Sequence, residues 1–521
     1  MRGALAIRSM TTMGNHRVRS AQARMPRNFM VRQTALGVGS PPYADDRGGA
    51  SARSRLRRGD APVRGTKLYV LGASIALAIA VVVTFAASPA ARRLVSGGRK
   101  ITTTSASGSH HPAASRSGGA TSGGARANGS AAASAAGGGP AAAGSAGAVR
   151  AVSPAIGLRP GAVSPSAAGL AAARAVVGKL SLTQLAGQRV IYSYSGPTPP
   201  AALLGLISRG EAAGVIFFAD NIGTTRAQLA NFASVVRELD RANAASTNPV
   251  RAPLLLMTDQ EGGLVRRLPG APVLSEKQVG QSAHPWAQAS QAGASAAANL
   301  RHYGLNVNLA PVLGVYRHPG DFLDQFQRSY SMRAAQAAKL GSLFISAQQH
   351  GGVAATAKHF PGLGAATAYQ NTDLRPVTLR LPLSELQAID ERPYPAAIAA
   401  GVKLVMVSWA TYPALDPRHP AGLSPAVVGG QLRQRLGFAG VTITDALEAG
   451  ALGPFGAIAH RATLAAHAGM DLLLCSEGDY REGVAAMNSL RYDYQHGLLG
   501  KQLFTAAAER VIALRATLPG A

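Results

Sequence analysis

One cysteine, Cys475, in 521 residues leaves no partner for an intrachain disulfide, so oxidation has no structural part here. No cysteine flanks the long apolar segment near the N-terminus either, which argues against a lipid anchor. Metal-ligand spacing is missing: His110 and His111 are adjacent in a Ser- and Gly-rich stretch, and His284, His302 and His318 are scattered. There is no Gly-Lys-Ser/Thr phosphate loop and no dinucleotide fingerprint between a strand and a helix. The expected chemistry therefore uses no metal and no cofactor. Acidic residues are scarce, 25 against 52 Lys and Arg, for a net charge of +27.

Part of that excess lies in residues 1–67, where fourteen Lys and Arg face only Asp45, Asp46 and Asp60. Such an arm, poor in large apolar residues, reads as a disordered solvated segment. A second reading is attraction to anionic lipid headgroups, worth about 1 kcal/mol per well-placed cation. No nucleic-acid partner is expected, because aromatics are few in the arm and no binding fold is recognisable. From Leu68 to Ala87 the chain is apolar and uncharged. About 20 such residues at ~1.5 Å each span a ~30 Å hydrocarbon core, which predicts one transmembrane helix, with a cleaved signal peptide as the alternative. The larger cationic excess before Leu68 keeps the N-terminus cytoplasmic and places the rest outside, as a single-pass cell-membrane protein. Residues 88–165 are Ser-, Gly- and Ala-rich and bury too little to order themselves, so they read as a flexible linker.

Residues 166–521 have regular apolar spacing and the length of one large domain. Eight short β-branched runs recur between helical stretches: 189–194, 214–219, 254–258, 306–310, 354–357, 403–408, 441–444 and 471–474. Strands alternating with helices eight times over predict an α/β fold, a (β/α)8 TIM-type barrel. Polar groups follow the strands at Asp220-Asn221, Asp259-Gln260-Glu261, Lys358-His359 and Asp445. Convergence of several such groups on one barrel mouth predicts a pocket there. Cys475, at the end of the eighth run, reads as a small buried hydrophobe.

The segments GVIFFADNI (214–222), LLLMTDQEGGLVRRL (254–268), LNVNLAPVLGV (305–315), QRSYS (327–331), AKHFPGLG (357–364), VMVSWATYPALDP (405–417) and LRQRLGFAGVTITDALEAGAL (432–452) stand in a specific order. Together they resemble glycoside hydrolase family 3, in its single-domain β-N-acetylhexosaminidase branch. The resemblance implies a carbohydrate substrate and hydrolysis by the retaining route. It makes Asp445 the nucleophile that attacks the anomeric carbon. On local sequence alone, Asp445 reads equally well as the N-cap of the following segment. By the same resemblance Asp259, Arg328, Lys358 and His359 bind the sugar, and Gly262-Gly263 lets the backbone approach the ligand. Arg266 and Arg267 read as surface charge.

The chain departs from that branch in one loop. A second histidine after the KHFPG turn and an Asp-Ser-His segment supply the branch's general acid/base; here the loop runs LGAATAYQNTD from Leu363 to Asp373, with neither histidine. A proton donor is worth about 10² to 10⁴ in rate. Asp373 is the candidate replacement, if burial or a neighbouring carboxylate raises its pKa; a solvated turn Asp is the competing reading. Glu448 and Glu261 are weaker candidates. The expected activity is release of terminal N-acetylglucosamine from cell-wall-type glycans. A β-glucosidase, a glycoside phosphorylase or a noncatalytic glycan-binding barrel are the alternatives.

Overall fold

The computed structural model describes residues 165–520. The basic arm, the apolar segment at 68–87 and the linker up to residue 164 lie outside the described residues, as does Ala521. Among the described residues, no helix is long and apolar enough to cross a membrane.

Eight parallel strands close into a barrel in the order β1-β2-β3-β6-β7-β8-β9-β10. They are β1 (Val190–Tyr192), β2 (Gly214–Ile216), β3 (Leu255–Thr258), β6 (Val307–Asn308), β7 (Ala354–Phe360), β8 (Leu404–Val407), β9 (Val441–Ala446) and β10 (Leu472–Leu474). Two further strands, β4 (Gln260–Gly262) and β5 (Val265–Arg266), form a separate antiparallel pair directly after β3. All eight expected runs thus supply a barrel strand.

Side chains alternate between the two layers that a closed sheet needs. Leu404 and Met406 point into the barrel with Leu255, Met257, Ile443 and Leu472, while Val405 and Val407 pack outward with Leu256 and Leu473 against the helices. The strands are buried on both faces, which is why they read as short apolar runs rather than alternating ones.

Boundaries differ where side chains or prolines replace ladder bonds. Asn306 lies outside β6 because its own amide accepts from the Leu256 N–H at 3.0 Å and donates to the Leu254 carbonyl at 2.8 Å. Beyond β6, Pro311 has no N–H to contribute. In the other direction, β7 runs to Phe360, which pairs with Val407 after a register shift past Ala357. Lys358 and His359 therefore lie within the strand, not after it, and Asp445 likewise lies within β9.

Candidate active site

The C-terminal mouth of the barrel holds a cavity of about 210 Å³. Ile216, Leu309, Met406 and Leu474 give it an apolar base, continuous with the barrel interior. Asp259, Arg328, Lys358, His359, Asp373 and Asp445 all line it. Six residues chosen across 187 positions of sequence thus share one hollow.

An ion network organises one side. Lys358, 2% exposed, sets its Nζ 2.7 Å from Asp259 Oδ1 and 2.7 Å from Glu261 Oε1. Arg328 grips Glu261 with two bonds, Nε to Oε2 at 2.9 Å and a terminal nitrogen to Oε1 at 2.8 Å. Burial alone would discharge Lys358, but Asp259 and Glu261 hold it charged and raise its pKa. Burial likewise opposes ionisation of Glu261, yet Arg328 and Lys358 prevail and depress it to about 2. Asp259 is lowered too, as Lys358 and then Arg267 outweigh its burial. Glu261 is accordingly the bracket that positions two cations, and not a proton donor.

His359 is buried next to these charges. Burial, Lys358 and Arg328 press its pKa well below the usual value, so the imidazole is neutral. Its Nδ1 has no partner among the described residues. A neutral ring facing the cavity can offer one donor and one acceptor. Behind the network, burial and Glu261 keep Glu276 protonated, while one of its oxygens accepts the Val312 N–H at 2.8 Å.

On the other side, burial and the Asp373 carboxyl push Asp445 up to about 7. Desolvation at the cavity rim raises Asp373 as well, with Asp259 adding to it against Arg328 and Lys358, although the residue stays exposed to solvent on its outer side. Asp373 thereby opposes ionisation of Asp445, and the pair releases its last proton near 7. Asp445 Oδ1 accepts the Ala446 N–H at 2.9 Å, a bond that favours its charged form. The loop bearing Asp373 is seated by main-chain bonds. The Ala366 carbonyl accepts from Phe322 at 2.9 Å, that of Thr372 from Ala451 at 3.0 Å, and that of Asp373 from Gly450 at 2.8 Å.

Several expectations need correction. Asp220 and Asn221 do not line the cavity; Asp220 accepts the Gly196 N–H, and Asn221 bonds Phe218, Tyr194 and Gly196. Gly262 and Gly263 approach their own chain, not a ligand. Both have positive φ, and a Cβ on them would sit 2.3 Å from the Leu274 carbonyl and 2.4 Å from Ser275 Cβ. Glu448 lies outside the cavity lining. Arg267, which reads as surface charge in the sequence, lines the cavity; its Nε is unpartnered among the described residues, and its guanidinium lies 6.0 Å over the Phe218 ring. Val265 and Arg267 line the cavity, while Arg266 turns away to the Gly270 carbonyl. Thr372 and Ser476 also line the cavity without having been singled out.

Comparison with known proteins adds independent evidence. Residues 181–514 match the model of the glycosyl hydrolase family 3 N terminal domain. A protein of Arthroderma benhamiae described as an uncharacterized secreted glycosyl hydrolase is 44% identical over 349 residues, which is 67% of this chain and 97% of that one. The solved family 3 β-N-acetylglucosaminidase of Paenibacillus sp. str. FPU-7 superposes with a TM-score of 0.61 at 34% identity, over 66% of this chain and 64% of its own. The β-N-acetylhexosaminidase of Beutenbergia cavernae DSM 12333 gives 0.58 at 30% identity, over 64% of this chain and 98% of its own.

Proposed function

This chain belongs to glycosyl hydrolase family 3, and we propose that it is a retaining β-N-acetylhexosaminidase whose two working carboxyls are Asp445 and Asp373. The observation that carries this reading is two carboxyls lining one small hollow, with Asp373 raising the pKa of Asp445, beside a pre-charged network. Such a pair supplies one ionised and one protonated group at the same pH, as retaining hydrolysis requires.

In the first step the Asp445 carboxylate attacks the anomeric carbon, and the glycosidic bond breaks as Asp373 delivers its proton to the leaving oxygen. In the second, the Asp373 carboxylate takes a proton from water, whose oxygen displaces Asp445 and frees the sugar. The first step requires the charge on Asp445 and the proton on Asp373, a distribution that the Ala446 N–H favours. Asp259, Arg328, Lys358 and His359 hold the ring, with Arg267 added by its place in the wall. Asp259, Arg328 and Lys358 are ordered by ion pairs before substrate arrives, so little binding energy is spent on arranging them.

We further propose that the substrate is terminal N-acetylglucosamine of envelope glycans, reached from outside the cell by a domain anchored through Leu68 to Ala87. The apolar length of that segment, the basic arm before it and the secreted description of the Arthroderma relative support this placement. Asp445→Ala is expected to abolish nitrophenol release from 4-nitrophenyl β-N-acetylglucosaminide. Undiminished turnover in that variant would remove the mechanism. Rates with and without inorganic phosphate separate hydrolysis from phosphorolysis.

A further inference from the structure

Ser476 follows Cys475 at the exit of β10 and lines the cavity together with Asp445 from the adjacent strand β9. Its hydroxyl donates to Glu448 Oε1 at 2.6 Å, and its backbone N–H donates to Glu448 Oε2 at 3.3 Å. Glu448 stands three residues after Asp445, so this contact ties the segment leaving β9 to the exit of β10. Behind Glu448 lies Glu482, 5% exposed, whose Oε2 accepts the Glu477 N–H at 3.0 Å. Burial and the neighbouring Glu448 push Glu482 up to about 9. Burial raises Glu448 too, but the bonds it accepts from Ser476 and Glu482 favour its charged form, so Glu482 carries the proton and Glu448 is the acceptor.

The consequence concerns direction. A serine hydroxyl has one hydrogen, and here it is committed to Glu448. Only its lone pairs are available to the cavity, so any ligand group meeting Ser476 must itself donate. The ring-holding side chains Asp259, Arg328, Lys358 and His359 all come from the arc of β3, β6 and β7, across the mouth from β10. The substituents left to β10 are those next to the carbon that Asp445 attacks. The ring oxygen beside that carbon is an acceptor and cannot serve. The group at C2 is bonded directly to the reacting carbon, and in an N-acetylhexosamine it presents an amide N–H.

We infer that Ser476 is a specificity-determining residue that accepts a hydrogen bond from the C2 amide N–H of the substrate, with Glu448 as the positioning residue that fixes its polarity. The inference rests on the glycosidase reading above. The first control is turnover of 4-nitrophenyl β-N-acetylglucosaminide by the wild-type chain, and its failure would sink that reading by itself.

Given turnover, kcat/KM is measured for the wild type and Ser476→Ala on this substrate and on its 2-deoxy and 6-deoxy analogues. Ser476→Ala should lose about tenfold on the N-acetyl and 6-deoxy substrates and nothing on the 2-deoxy analogue, which lacks the donor. An equal loss on all three, a loss spared only on the 6-deoxy analogue, or no loss at all overturns the assignment. Glu448→Ala frees the hydroxyl to turn its hydrogen into the cavity and should reproduce the same substrate-selective loss. Glu448→Gln keeps a carbonyl acceptor and should restore wild-type discrimination. Identical behaviour of these two Glu448 variants would also overturn it.

Discussion

Replacing Asp373 by Asn removes one of the two facing charges while keeping the shape of the side chain. Asp445 stands at about 7 instead of its ordinary 3.8, a displacement of roughly 3 units, or about 4 kcal/mol. Two unit charges at the ~5.5 Å spacing of a retaining pair repel by about 3 kcal/mol at an effective dielectric of ~20, which is a ceiling on what Asp373 contributes. Because burial is the larger cause of the shift, the share of Asp373 is under half, roughly one unit. In Asp373→Asn, Asp445 should therefore ionise near pH 6. The assay is kcat/KM from pH 4 to 9 on a nitrophenyl glycoside and on a β-linked disaccharide. The wild type should lose activity as the pH rises through about 7, where the pair gives up its last proton. The variant should lack that falling limb on the nitrophenyl substrate, whose leaving group needs no acid. On the disaccharide it should be slower by about 10² to 10⁴. A falling limb that persists, or an equal loss on both substrates, would refute Asp373 as the proton donor.

Asp445→Asn should be inactive yet more stable above neutrality. Between about pH 4 and 7 the folded pair of Asp445 and Asp373 keeps a proton that the unfolded chain releases, so wild-type stability falls as pH rises across that window. The amide variant should melt a few degrees higher at pH 8, corresponding to about 1–3 kcal/mol after allowance for partial exposure, and at the same temperature at pH 4. Equal melting at both pH values would contradict this balance. Lys358→Met leaves Asp259 and Glu261 short of their buried cation and should cost about 3–5 kcal/mol in urea unfolding; an unchanged midpoint would mean that the network carries no stability. Arg267→Ala should lower kcat/KM by about tenfold or more with its melting temperature unmoved. A fall in melting temperature with intact kinetics would return Arg267 to a structural role.

The barrel was legible because its strands are buried on both faces and so stand out as β-branched runs, three of them leading into charged groups at the mouth. Asp259, Lys358 and Asp445 were legible for the same reason, since charge at the mouth end of a buried strand has few other places to go. The hairpin after β3 was not. Its strands of two and three residues are too short to show a period, and Arg267 was hidden with them. Glu261 illustrates a second limit: its partners Arg328 and Lys358 lie 67 and 97 positions away, and nothing local announces a bond across that distance. Ser476 escaped because its polarity is set by Glu448, and the direction of a hydroxyl is decided by neighbours the linear order does not reveal. Asn306 shortened β6 by the same kind of substitution of side chain for backbone.

The Asp373 loop is docked through carbonyl groups of Ala366, Thr372 and Asp373, which accept N–H groups from Phe322, Ala451 and Gly450. Carbonyls are the same whatever side chain they accompany. With Asp373 as the proposed proton carrier, such a cradle lets one ionisable side chain take the place of another without moving the rail on which either rides. Grafting other ionisable residues onto 363–373 is then a practical route to retuning the working pH of this scaffold while its sugar grip stays intact.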